Sequence, residues 1–303
     1  MTSPHIKTRR IVGDHPGPHL LVTGGVHGDE FEPMAAVRRL ATRIPPADLR
    51  GSVTLVPVVN EPAFARGTRT ADDGLDLART CPGDPTGSIT QQIAHEVSAL
   101  IRAADYYVDL HTGGTRLSLL PLVGYMLHPD PHVLDAQRLM ARAFGLNVVW
   151  GTDHRLDGRT LSVARDANVP AIYAEWHGAA RCEPEGVEAY VTGCLNVMSE
   201  LDMIDRLHVY RDPDWTVEDA RTGAGHLQRC HPAPLAGLFE AAVKLGDHVE
   251  AGDPLGTISD TLGDRVEQVA SQQTGIVLCL RTFGRVDEGD SLAVILETHL
   301  SQT

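Results

Sequence analysis

Leu20-Leu21-Val22-Thr23-Gly24-Gly25-Val26-His27-Gly28-Asp29-Glu30 leads from an apolar strand through a glycine turn into a helix. Residues 20–26 have the length and apolar density of a buried strand, and the paired glycines end it. From residue 30 to residue 44, Met34, Val37, Leu40, Ala41 and Ile44 recur at helical spacing. Pro33 falls in the first turn, where its missing N–H is tolerated. His27 and Glu30 therefore stand three residues apart at a strand-to-helix junction and can converge on one point. Imidazole and carboxylate are ordinary zinc ligands, and a catalytic zinc takes three protein ligands while a fourth position stays open. A second strand, Asp105-Tyr106-Tyr107-Val108-Asp109-Leu110, ends at His111 before Thr112-Gly113-Gly114, and His111 is the third candidate.

His-x-x-Glu alone is a weak signal, because the spacing arises by chance. His27 then reads as a loop histidine, Glu30 as a first-turn acid favoured by the helix dipole, and His111 as a satisfied histidine at a strand end. Coincidence of place changes that balance. Both segments set polar residues just beyond the carboxyl ends of apolar strands, beside glycines, at the edge where open α/β sheets bind ligands. Glu175 occupies the same kind of place, after Ala171-Ile172-Tyr173-Ala174 and before Trp176-His177-Gly178.

In this order, HGDE at 27–30, DLHTGG at 109–114 and the late strand ending at Glu175 resemble the succinylglutamate desuccinylase/aspartoacylase family of the zinc carboxypeptidase superfamily. Within that family the chain resembles the bacterial branch containing N-acetyl-diaminobutyrate deacetylase. The resemblance covers residues 20–201 and a C-terminal appendage. It implies an α/β fold, a zinc-carboxypeptidase-like mixed-sheet α/β/α sandwich, followed by an all-β domain. It also implies one zinc ion per chain held by His27, Glu30 and His111, with Glu175 as general base. Zinc lowers the pKa of water to about 7, and a nearby carboxylate can take the water's proton and pass it to a departing amine.

The same resemblance assigns substrate binding to residues 60–83, with Asn60 at the end of a strand expected over 53–59. Arg69 stands where relatives carry the arginine that polarises the scissile carbonyl. Relatives also carry Asp-Leu-Asn-Arg before Pro-Gly, whereas this chain reads Asp76-Leu77-Ala78-Arg79-Thr80-Cys81-Pro82-Gly83. The missing asparagine is half of a carboxylate clamp, and losing an amide donor to a charged acceptor costs about 1.5–3 kcal/mol if nothing replaces it. Arg79 remains and can bind a carboxylate bidentately. The substrate's carboxylate is then absent, shifted, or held by another group. Arg66 reads as a solvated loop cation.

Asp29 either orients a ligating imidazole or caps the following helix, and Asp109 either supports His111 from the same strand face or is solvated at the strand end. Tyr125 and His177 read more readily as packed and loop residues than as substrate contacts. The helix expected over 88–104 carries a Ser88/Gln91 capping box and is structural.

Composition narrows the remaining classes. A formal charge of −14 argues against nucleic acid and anionic membranes, and no apolar run is long enough to span a bilayer. Five scattered cysteines suggest a reducing compartment and form no Cys-x-x-Cys metal site. Residues 1–17 lack a signal-peptide core, so the cytoplasm is expected.

The chain changes character near Asp202. Helical periodicity is gone from Val209 on, and short β-like runs follow. This divides a catalytic α/β domain, 1–205, from a C-terminal β domain, 206–303. Within the latter the scheme Val-x-x-Gly-Asp-x-Leu occurs twice, at 249–255 and 286–292, resembling the barrel-sandwich hybrid of biotinyl and lipoyl domains. Residues 259–273 between the halves contain no lysine, which rules out a swinging arm. The appendage either narrows the site or mediates homo-oligomer formation.

The sequence thus points to a zinc-dependent amidohydrolase. It would act on the amide bond of a small N-acyl amino acid or related N-acyl compound. A zinc carboxypeptidase of short peptides and a non-catalytic metal- or ligand-binding relative are the alternatives.

Overall fold

In a computed structural model that describes residues 6–207, 211–227 and 230–300, the apolar runs become one mixed sheet. The first nine strands are β1 (Arg9–Val12), β2 (His15–Thr23), β3 (Arg50–Val56), β4 (Tyr106–Thr112), β5 (Leu117–Leu119), β6 (Leu122–Met126), β7 (Val148–Thr152), β8 (Ala171–Trp176) and β9 (Trp215–Glu218). All but β5 join one sheet in the order β1-β3-β2-β4-β8-β6-β7-β9. The central strands β3, β2, β4 and β8 are parallel, and the direction reverses between β8 and β6.

Among the described residues six α-helices flank the sheet: α1 (Phe31–Leu40), α2 (Glu61–Arg66), α3 (Ile89–Arg102), α4 (Pro131–Phe144), α5 (Thr160–Asp166) and α6 (Pro184–Glu200). The two-residue period of the strands decides which face each side chain serves. Leu20, Val22, Val108, Leu110, Ile172 and Ala174 pack under α1, α4 and α6. Leu21, Tyr107 and Ala171 pack under α3 and α5 on the other face. Asp109, His111, Tyr173 and Glu175 continue that second alternation, so all four emerge on one side of the sheet at its carboxyl edge.

Two expected boundaries move. The strand expected over 53–59 spans Arg50–Val56, because Pro57 has no N–H to donate to a ladder. The helix expected over 30–44 stops at Leu40, four residues short, although Ile44 is still buried. The 88–104 helix forms as α3, with Ser88 N donating to Gln91 Oε1 at 2.8 Å.

The C-terminal part comprises β10 (Gly237–Ala241), β11 (His248–Val249), β12 (Pro254–Ser259), β13 (Val266–Ala270), β14 (Gly275–Arg281), β15 (Arg285–Val286) and β16 (Ala293–Leu296). They form two antiparallel sheets, β13-β12-β10-β15 and β11-β14-β16. The repeated phrase has a local cause. Asp253 Oδ2 accepts from Glu250 N at 2.8 Å and Asp290 Oδ2 from Asp287 N at 3.0 Å, so each aspartate closes its own turn. Gly252 and Gly289 take the positive φ those turns require, and Leu255 and Leu292 are completely buried.

The division expected at 205/206 does not follow the sheets. β9, beyond that point, extends the large sheet beside β7, while β5, well before it, pairs with β14 through Leu119 and Cys279. An unpaired β7 edge would leave a row of open backbone groups, which β9 covers. The change of character placed at residue 209 lies outside the described residues. No helix among the described residues is long and apolar enough to cross a membrane.

Candidate active site

The turn after β2 brings His27 and Glu30 under α2. Gly28 is required there, since a Cβ at this position would lie 2.0 Å from the Ala63 carbonyl carbon. Gly28→Ala is therefore expected to cost about 1–3 kcal/mol by overpacking and to weaken metal binding, measured by denaturant titration and zinc affinity. An unchanged midpoint would show that α2 yields freely.

Glu30 lies between two imidazoles. Its Oε1 is 2.7 Å from His27 Nδ1 and its Oε2 is 3.0 Å from His111 Nδ1, and all three residues are buried. One ligand atom from each can be chosen with all three within 4.8 Å of one another. The second nitrogen of each ring faces another carboxylate: His27 Nε2 is 3.2 Å from Asp76 Oδ1, and His111 Nε2 is 3.1 Å from Asp109 Oδ2. Carboxylates only accept, so both nitrogens of each ring face acceptors, and the arrangement suits either doubly protonated rings or a cation held between the Nδ1 atoms and Glu30. Bare nitrogen facing carboxylate is repulsive unless a cation lies among them or the rings are protonated. Burial alone would raise the pKa of Glu30, yet His27 and His111 hold it well below the usual carboxylate range. Burial opposes a charge on His111, but Asp109 and Glu30 together raise it well above the usual imidazole value. Two imidazoles and one carboxylate, each ring backed by an outer carboxylate, suit a zinc ion.

Asp76 carries a role that the sequence reading left unassigned. Its Oδ1 faces His27, and its Oδ2 accepts from Arg69 Nε at 3.1 Å and Nη2 at 3.0 Å. Arg69 Nη1 lies 3.8 Å from Glu30 Oε1, so Asp76 fixes both the His27 ring and the arginine beside it. Asp109 is completely buried, and Thr23 and Thr160 hydroxyls donate to it at 2.7 and 2.5 Å. That burial excludes the solvated alternative for Asp109. Asp29 takes neither expected role: its Oδ2 accepts from Thr115 N at 2.9 Å, pinning the loop after β4.

Glu175 stands beside His111 in the β4–β8 register and lines the same cavity as His27, Glu30, Arg69 and Arg79. Its Oε2 has no hydrogen-bond partner, and burial pushes its pKa up to about 8 against the pull of His111. Ala78 lines the cavity too, and Arg79 Nη1 donates to the Ala78 carbonyl at 2.6 Å.

Asn60 is placed elsewhere. It is completely buried outside the cavity lining, where its Oδ1 accepts from Ala63 N at 3.2 Å and caps α2. The same short polar side chain that suits a substrate contact also suits a helix cap, and sequence alone did not separate the two. Arg66 pairs with Asp72 at the surface. Tyr125 donates to Glu218 at 2.6 Å, and His177 Nδ1 meets the Leu119 carbonyl at 2.8 Å, both outside the cavity lining.

Two further features were not read from the sequence. Arg159, at the start of α5, and Tyr173, on β8, line the cavity, and Gly225 and Leu227 reach into it from beyond β9. The cavity volume is about 80 Å³.

The succinylglutamate desuccinylase/aspartoacylase catalytic-domain model matches residues 16–201. The chain belongs to that family. N-alpha-acetyl-L-2,4-diaminobutyric acid deacetylase of Halomonas elongata is 32% identical, over 93% of this chain and 82% of its own length. The crystal structure of succinylglutamate desuccinylase/aspartoacylase from Rhodobacter sphaeroides superposes with a TM-score of 0.85 at 29% identity, covering 96% of this chain and 88% of that one. The product-bound ectoine utilization protein EutE (DoeB) of Ruegeria pomeroyi gives 0.84 at 26% identity, covering 96% and 88%. As a member of this family the chain is a deacylase that hydrolyses amide bonds.

Proposed function

We propose that this deacylase is zinc-dependent and cleaves a small N-acyl amino acid or a related N-acyl compound, using His27, Glu30 and His111 to hold one zinc ion. The observation that carries this reading is a single cavity containing the buried His-Glu-His cluster, a carboxylate with an unpartnered oxygen at Glu175, and Arg69. When bound, zinc supplies a Lewis acid that polarises a carbonyl and acidifies water to a pKa of about 7. Glu175 takes the proton of the attacking water and delivers it to the leaving amine. Arg69, held by Asp76, places its guanidinium where negative charge develops on the carbonyl oxygen. Asp76 and Asp109 keep both ligand rings in one tautomer.

Arg69→Met should lower kcat by about 10²–10³-fold with a smaller change in KM, as expected for loss of a preorganised oxyanion contact. Steady-state kinetics on zinc-loaded protein checks this, and a change confined to KM would move Arg69 to ground-state binding.

Peptide cleavage would use the same residues, but the small cavity and the Gly225–Leu227 side of its wall favour small substrates. A purely ligand-binding role would leave Glu175 idle. Five free cysteines fit a cytoplasmic setting. The test is hydrolysis of N-acyl amino acids, short peptides and simple amides by zinc-loaded protein. Turnover of small N-acyl amino acids supports the proposal. Cleavage of peptides alone, or no turnover with stoichiometric zinc, overturns it.

A further inference from the structure

The cavity contains a cation with no carboxylate in salt-bridge contact among the described residues. Arg159 makes no ion pair among the described residues. Its Nη atoms reach the Gly225 carbonyl at 3.4 and 3.5 Å and His226 Nδ1 at 3.3 Å, and its buried Nε has no hydrogen-bond partner. Arg69, by contrast, is spanned by Asp76. A desolvated guanidinium that Asp76 and Glu175 support only through space is costly, so the group suits an anion that arrives with the substrate.

Tyr173 faces the same space. It lies two residues before Glu175 on β8 and therefore on the same face of the strand. Its hydroxyl has no hydrogen bond to any described residue, although the residue sits in an interior strand between β4 and β6. Opposite it on β6 stands Gly124, where a Cβ would come within 2.2 Å of the Tyr173 ring and 2.4 Å of its hydroxyl oxygen. Gly124 is what lets the ring lie across β6 at the cavity wall. Ala78 lines this cavity as well and offers it no side-chain donor.

We propose that Tyr173 is a specificity-determining residue. Together with Arg159 it receives a carboxylate of the substrate, the phenol O–H and the Arg159 guanidinium donating to its oxygens. The inference rests on the deacylase reading above. The chemistry favours an anion: both free groups are donors, a carboxylate only accepts, and an ammonium group would meet the Arg159 charge. The pair supplies side-chain donors that Ala78 lacks. The carboxylate belongs either to the amino acid or to the acyl group, and two matched pairs of substrates separate these sources. One is an N-acetyl amino acid against its carboxamide. The other is an N-succinyl amine against the N-butanoyl amine.

Wild type is expected to prefer the charged member of one pair, and that pair locates the carboxylate. Tyr173→Phe should cut kcat/KM for that charged substrate roughly 10- to 100-fold, mainly through KM, and leave its neutral counterpart within about threefold. The phenyl ring preserves packing on Gly124, and an unchanged thermal melt checks it. Arg159→Gln should give the same selective loss, and the double variant should lose less than the product of the two. Equal losses on charged and neutral substrates, no loss in Tyr173→Phe, or fully multiplicative losses would overturn the assignment. Hydrolysis by wild type with an indifferent Tyr173→Phe condemns this inference alone. A wild type inactive on every N-acyl compound condemns the deacylase reading and this inference with it.

Discussion

Glu175→Gln is expected to lower kcat by about 10³–10⁴-fold while zinc content and fold stay unchanged. The expectation follows from placement. Glu175 ends β8 beside His111, inside the cavity, and one of its oxygens has no protein partner to satisfy. Gln has the same shape, so the packing of β8 between β4 and β6 survives, but its amide cannot accept and return a proton. The loss therefore belongs to the chemical step and should appear in kcat and kcat/KM alike, with KM little changed. Stopped-time kinetics beside a metal assay and a thermal melt separates this from misfolding. Activity within tenfold of wild type in a zinc-replete Glu175→Gln protein would remove Glu175 from its role as base.

Glu30→Gln is expected to abolish measurable turnover and to weaken zinc binding by more than the 10–100-fold typical of losing an outer partner. Glu30 is the residue that both imidazoles share, so its charge is the anchor of the cluster. Chelation of the wild-type protein should likewise stop hydrolysis, and added zinc should restore it. Ligand binding to the native state also stabilises it, so zinc should raise the melting temperature of wild type and fail to raise that of Glu30→Gln. Because imidazoles must be free of protons at the ligating nitrogen, zinc affinity should fall as the pH is lowered. Titration calorimetry at two pH values measures this directly. Full activity after exhaustive chelation would end the zinc reading.

Glu30 and Glu175 were legible in the sequence for the same reason. Each follows an apolar strand-like run at the edge where α/β sheets bind ligands, and each sits in a motif that carries the resemblance to the family. Asp76 stands in such a phrase too, but its task is not legible there, because its partners are His27 and Arg69, neither of which marks it from along the chain. Asn60 was placed with the substrate and instead caps α2, a choice made by the direction of one side chain.

The sequence by itself determined the strand-to-helix junction at His27–Glu30, the strand ends at His111 and Glu175, and the turn repeat that builds the C-terminal sheets. These rest on local periodicity, glycine conformation and short polar closures, all of which act over a few residues. The partnership of Arg159, Tyr173 and Gly124 was decided only by tertiary structure. So were the joining of β9 to the large sheet and the approach of Gly225 to the cavity. Strand order and register bring these residues together across 14 to more than 100 positions of sequence. No local spacing can encode which strand lies beside which, because that is settled by how the two faces of the sheet are covered.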